Sequence, residues 1–215
     1  MLDEELSAKL QTFYGANFKP SHTKNEKTPL MRAAIDGDID GTKRLVEEGA
    51  DIHAGDRTAL MYAALQGRTE IVRYLISKGA NVNATDDVQC TALILASMGG
   101  HADIIKMLLE AGANVNAVSD SGGSALLDAA FHGHAESVRL LIAAGADTNF
   151  IGSIENDLTP LMSAVIQGHV EVVKILLDAG ADVHRVAAEA TALSLAKSAK
   201  NETMMRLLKE AGAQK

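Results

Sequence analysis

The chain has 215 residues, 20 Lys and Arg against 28 Asp and Glu, a net charge of −8 and a single cysteine. An acidic protein without a basic tract repels phosphate backbones, which argues against a nucleic-acid partner, and one thiol, Cys90, excludes an internal disulfide and fits a reducing compartment. No apolar run approaches the ~18 residues of a membrane span, and Met1 to Glu5 is acidic where a secretory leader is basic; the expectation is a soluble cytoplasmic protein without membrane contact.

Residues 3–14 are predicted to form a short helix ending at Gly15, followed by a polar connector to Lys27, so residues 1–27 serve as an N-terminal cap and linker. From Thr28 onward the chain repeats itself. Thr-Pro-Leu, Thr-Ala-Leu or a close variant begins at Thr28, Thr58, Thr91, Ser124, Thr159 and Thr191, and each is followed 21 residues later by Gly-Ala, at Gly49, Gly79, Gly112, Gly145, Gly180 and Gly212. The steps between starts are 30, 33, 33, 35 and 32 residues. The segment from Thr to Gly-Ala is therefore constant, and all length variation falls in the loop that follows it.

Within the constant segment the pattern predicts two antiparallel helices. In the third copy Thr91 caps a helix with Leu93, Ala96 and Ser97 at helical spacing, Gly99-Gly100 stops it, and Ile104, Ile105, Leu108 and Leu109 form the apolar face of a second helix that ends at Gly112. Neither helix can bury its face alone, so the copies must stack into one continuous core.

Thr159-Pro160-Leu161-Met162, Gly168-His169, Glu171 to Leu177 and Gly180-Ala181-Asp182-Val183 resemble the ankyrin-repeat pattern, and five further copies share their frame. The resemblance covers residues 28–213. It implies an all-α ankyrin solenoid of helix-turn-helix units with finger loops. The single domain spans 28–215 and divides into 28–57, 58–90, 91–123, 124–158, 159–190 and 191–215. The chain departs from the pattern after Thr-Pro-Leu, where the usual His is replaced by Met31, Met61, Ile94, Leu127, Met162 and Ser194. That change should remove a hydrogen-bonding side chain from the hairpin base. The first loop is three residues short and the fourth two residues long, so those two fingers should differ in reach. Charged residues among Met204, Met205, Leu207 and Leu208 suit a terminal repeat that faces water.

Three motifs suggest chemistry and none survives the repeat frame. Asp36-Gly37-Asp38-Ile39-Asp40-Gly41 with Glu47 matches a calcium loop, but the frame places Gly37 in a turn and requires helix after Ile39, so the acids are expected at a helix N-terminus. His132, His134 and Glu136 invite a metal reading, yet the two histidines bracket a glycine turn, and His101, His134 and His169 share one repeat position, which marks them as structural. Asp128 and His132 lie four apart and could pair, and Ser163 occupies the position of Asp128 one repeat later. Repeats ~10 Å apart keep this Asp-His-Ser set from closing, and no oxyanion-hole signature is present. No cofactor, metal or catalytic residue is expected. Cys90, beside Asp86 and Asp87, should be inert.

In an ankyrin stack the first helices line the concave side. The three positions expected to face outward there read Arg32, Ile35, Asp36; Tyr62, Leu65, Gln66; Leu95, Met98, Gly99; Asp128, Phe131, His132; Ser163, Ile166, Gln167; and Leu195, Ser198, Ala199. The middle position is apolar in five of the six. A strip of large apolar side chains in register marks an interaction site, with Tyr62, Leu65, Leu95, Met98 and Phe131 at its centre and Gln66, Asp128, His132, Ile166 and Gln167 beside them. The competing expectation is that these side chains lean sideways and complete the core. Asp51, Asp56, Asp86, Asp87, Asp120, Glu155 and Asp157 make the fingers acidic, which suits a basic rim on a partner.

The sequence thus points to a non-enzymatic protein, monomeric when free, that binds another protein on its concave face. A single obvious face favours an inhibitor or masking partner over a scaffold or adaptor. Self-association through the strip is the other alternative, and a metal-dependent regulator or hydrolase built on Asp128, His132 and His134 is the least favoured.

Overall fold

A computed structural model describes residues 27–152, 158–187 and 189–213. The helix expected over residues 3–14, and the finger acids Glu155 and Asp157, lie outside the described residues. Twelve helices among the described residues form six antiparallel pairs: α1 Pro29–Asp36 with α2 Ile39–Glu47, α3 Ala59–Leu65 with α4 Thr69–Ser77, α5 Ala92–Met98 with α6 Ala102–Glu110, α7 Ala125–His132 with α8 Ala135–Ala143, α9 Pro160–Gln167 with α10 Val170–Asp178, and α11 Ala192–Ser198 with α12 Glu202–Glu210.

Each first helix starts in the same way. The hydroxyl of Thr28, Thr58, Thr91, Ser124, Thr159 or Thr191 accepts the backbone N–H three residues on, filling one of the helix's orphan donors. At α11 the cap is reciprocal. Ser194 Oγ accepts the Thr191 N–H at 2.9 Å and so restores a polar contact at the hairpin base that the missing His was expected to remove. In the other pairs that position holds Met31, Met61, Ile94, Leu127 or Met162, all buried; Met31 Sδ also accepts the Thr28 N–H at 3.4 Å, and the other four pack instead of bonding.

The second helices end at the repeating glycines, whose φ values lie between 82° and 98°. In the first pair Ala50 N–H donates back to Leu45 C=O at 2.9 Å, the closing bond of a left-handed stop that only glycine enters without strain.

The core is one run of side chains through all the pairs. It is built from the inner faces of second helices, such as Ile104, Ile105 and Leu108, and the small and branched residues of the first helices. First helices pack on one another more extensively than second helices do. The loops between pairs fold back as hairpins, closed by isolated antiparallel bridges at Thr85 with Thr91, Val118 with Ser124, Gly152 with Leu158 and Ala187 with Ala190. The loop after the first pair, the short one, has no such bridge among the described residues. Neighbouring fingers are tied at their bases: Asn83 Nδ2 donates to Gly112 C=O at 3.0 Å and its Oδ1 accepts from Asn114 N–H at 2.7 Å, and Asn116 repeats the arrangement with Gly145 and Asp147. Among the described residues no helix is long and apolar enough to cross a membrane.

Candidate functional site

The strip expected from the sequence divides in two when the side chains are placed. Leu65, Met98, Phe131 and Ile166, one per consecutive first helix, are partly buried and pack against the core with the remainder exposed. Each contributes to the core and keeps an exposed part. Gln66, His132 and Gln167, one residue further on, are exposed beside them. Tyr62 is also partly buried, but Lys27 Nζ and the Arg57 guanidinium lie 5.6 and 5.9 Å from its ring centroid, so that end of the strip carries cations.

Four of the residues expected to face outward are interior: Leu95, Asp128, Ser163 and Leu195. Leu95 is 1 % exposed and belongs to the core cluster, and Asp128 is also 1 % exposed. Their frame position is exposed at Arg32, half-buried at Tyr62 and buried from Leu95 onward. Asp128 is covered from the finger side, where a side-chain carbon on Gly123 would stand 3.4 Å from Asp128 Oδ2. Helical spacing placed the position on the right face and could not see the hairpin that folds over it.

Asp128 Oδ1 is buried without a hydrogen-bond partner, and burial raises its carboxyl from 3.8 to about 8. The pairing with His132 expected from their spacing is not made. Ser163 Oγ is likewise buried and unpartnered, so the Asp-His-Ser set is not assembled. His132 instead meets Phe131 edge to face, with ring centroids 5.1 Å apart, and stacks on His134 at 5.9 Å. Although the residue is exposed, its ring is partly desolvated by its neighbours; that desolvation, and then the nearby His134 and His169, lower its pKa and favour the neutral ring.

The recurring histidines have a definite task. His101, His134 and His169 place Nε2–H on the backbone carbonyls of Leu65, Met98 and Phe131, at 3.1, 3.1 and 2.9 Å. Arg68 Nε does the same to Ile35 C=O at 3.1 Å. A carbonyl can only accept, so the donor tautomer follows. Each latch leaves from the start of a second helix and fixes the backbone of a strip residue one pair earlier. Each imidazole also rests on a glycine of that earlier pair: a side-chain carbon at Gly133 would stand 2.6 Å from His169 Cε1. Among the described residues no group of three His, Cys, Asp or Glu could hold a metal ion. In the calcium-like segment Asp38 Oδ1 caps α2 through Gly41 N–H at 2.8 Å and Asp40 lies in its first turn, as the repeat frame required.

The fingers differ from their sequence reading at one acid. Asp86 is not a rim residue: its side chain is fully buried, takes Nε and Nη2 of Arg57, and accepts the N–H groups of Val88 and Cys90. Asp51, Asp56, Asp87 and Asp120 are exposed. Cys90 is buried and its thiol is pushed up to about 12, first by burial and then by Asp86 and Asp128. It is inert as expected, with burial rather than acidic company as the larger cause. The sequence reading missed Val88, Val118 and Val186, which stand 39, 43 and 63 % exposed on the fingers. Their only signal was an apolar residue in an otherwise polar loop.

The helix pairs, glycine stops and hairpin fingers define a class, the stacked helical repeat whose first helices form a continuous surface. The chain belongs to the ankyrin-repeat family: the family model described as ankyrin repeats (3 copies) matches residues 4–86, 84–152 and 151–215. Among solved structures it is similar to the ankyrin repeat domain of human ASB11, at 29 % identity and a TM-score of 0.79 over 87 % of this chain and 85 % of that one. No curated protein matches the sequence. Ankyrin repeats are in general protein-protein interaction modules, and the family is typically non-catalytic.

Proposed function

We propose that this chain binds another protein on the inner side of its stack, along the first helices, and acts as an inhibitor or masking partner. The observation that carries the reading is the row Leu65, Met98, Phe131 and Ile166, half-exposed and in register, with the backbone of its first three members held from the next repeat. Half-exposed apolar side chains on a backbone already held in place suit a docking face. One such face supports masking over scaffolding, and an inert buried thiol supports a reducing, cytoplasmic setting.

The test is capture from a lysate of the source organism with the wild type and with Leu65→Glu/Met98→Glu/Phe131→Glu, after circular dichroism shows the variant helical. A protein held by the first and lost by the second is then purified, and its footprint on this chain is read by hydrogen exchange. Protection along α3, α5, α7 and α9 is the expected result. A footprint confined to the second helices would overturn the reading.

A further inference from the structure

Resting on the inner-face reading above, we infer that the central part of that face receives a basic segment of the partner, one with Lys or Arg beside a large apolar side chain. The first ground is where this chain puts its own cations. Residues 79–100, 112–134 and 145–169 make up the second, third and fourth fingers and the first helices that follow them, and they contain no Lys or Arg. The basic residues of the intervening second helices, Lys106, Arg139 and Lys174, are exposed on the other side of the stack. Over these segments the inner face is acidic and apolar and lacks cations of its own, so it attracts and orients a positive segment.

The second ground is the state of the individual carboxylates. Asp87 and Asp120 are exposed, make no ion pair with a described residue, and ride on adjoining fingers joined by Asp120 N–H to Val88 C=O at 3.0 Å. Beneath the third finger, one turn before Phe131, Asp128 is buried with Oδ1 unpartnered. The other buried carboxylate of this region, Asp86 within the second finger, has Arg57 as counter-ion. A cation brought between the third finger and Phe131 would give Asp128 the partner that the fold withholds. At the N-terminal end Lys27 and Arg57 stand over Tyr62 and close the acidic stretch, so the basic segment lies over Met98, Phe131 and Ile166. The second helices do not compete as a basic surface, because Lys106, Arg139 and Lys174 stand there among Asp103, Glu110, Glu136, Glu171 and Asp178, and Arg139 is already engaged by Glu171 at 2.8 Å.

The experiment pans a displayed library of random twelve-residue segments against the intact immobilised chain, then measures synthetic peptides of the selected sequences by fluorescence anisotropy. The expected selection is net positive with a large apolar residue, and its affinity falls at least ~5-fold between low and ~0.3 M salt. Asp87→Asn/Asp120→Asn weakens it roughly fivefold. Asp128→Asn weakens it by about threefold or more while raising the melting temperature, a combination that a purely structural residue would not give. Met98→Ser and Phe131→Ser each weaken every selected segment, and Lys106→Glu/Lys174→Glu leaves binding unchanged. Neutral or acidic segments that still depend on Met98 and Phe131 would overturn this inference and leave the inner-face reading standing. Segments indifferent to both residues would overturn both. No enrichment, or affinities that ignore all three Asn substitutions, would overturn the basic-segment inference, as would self-association of the free chain lost in Lys106→Glu/Lys174→Glu.

Discussion

The second finger contains a buried carboxylate, Asp86, and the third stands over another, Asp128, and the two are treated in opposite ways. Asp86 has a guanidinium and two backbone N–H groups, so its finger is clasped to the preceding loop through Arg57. Asp128 has no partner on Oδ1 and is raised to about 8 by desolvation. A buried charge with full compensation specifies a loop conformation, whereas an acid without compensation holds its proton near neutral pH and keeps an unsatisfied polar atom, a cost to stability. The uncompensated one lies next to Phe131, in the row proposed to meet a partner.

Removing the clasp should have the largest effect. Arg57→Ala leaves Asp86 buried without its counter-ion and should cost about 3 kcal/mol in urea unfolding, and Arg57→Ala/Asp86→Asn should recover part of that loss. If Arg57→Ala is neutral, the contrast between the two carboxylates disappears.

Asp128→Asn should act in the other direction. A carboxyl at 3.8 unfolded and about 8 folded keeps a proton in the folded chain that the unfolded chain loses between those values. The wild type should therefore lose stability as pH rises through that window, with the loss complete above it. The Asn variant should be more stable by on the order of 1–3 kcal/mol at pH 8, with the gain fading toward pH 4. A gain that does not change with pH would show that Asp128 is ionised or neutral in both states.

His169→Ala should cost about 1 kcal/mol or slightly more, by leaving Phe131 C=O without its donor. The last junction is the natural control. There Asn201 Oδ1 caps its own helix through Met204 N–H at 3.1 Å instead of reaching back, and nothing stands within 4 Å of a side-chain carbon on Gly168. Asn201→Ala should cost about the same through the lost cap, without altering the exchange protection of the Ile166 region. The smallest effect is expected at Cys90, between the two carboxylates. Asp128→Asn should speed its alkylation at pH 9 only slightly, because burial is the larger cause of the raised thiol pKa.

The repeat length, the helix pairs and the glycine stops were legible because each rests on a local rule. Thr91 caps with its own hydroxyl, Gly112 alone enters a left-handed backbone cheaply, and Ile104, Ile105 and Leu108 fall on one helical face. The middle row of the candidate site was legible for the same reason, since Leu65, Met98, Phe131 and Ile166 recur at one frame position. What failed concerned contacts between units. Nothing at Leu95 or Asp128 shows that neighbours and a finger will cover them, and nothing at Asp86 shows that Arg57 arrives from 29 residues away.

The sequence by itself therefore determined the family, the six helix pairs and the face on which apolar side chains recur, because periodicity and capping are properties of a few consecutive residues. The tertiary structure alone decided which members of that face see water and which acid is neutralised. Exposure and desolvation depend on atoms brought together from different repeats, and no single repeat contains that information.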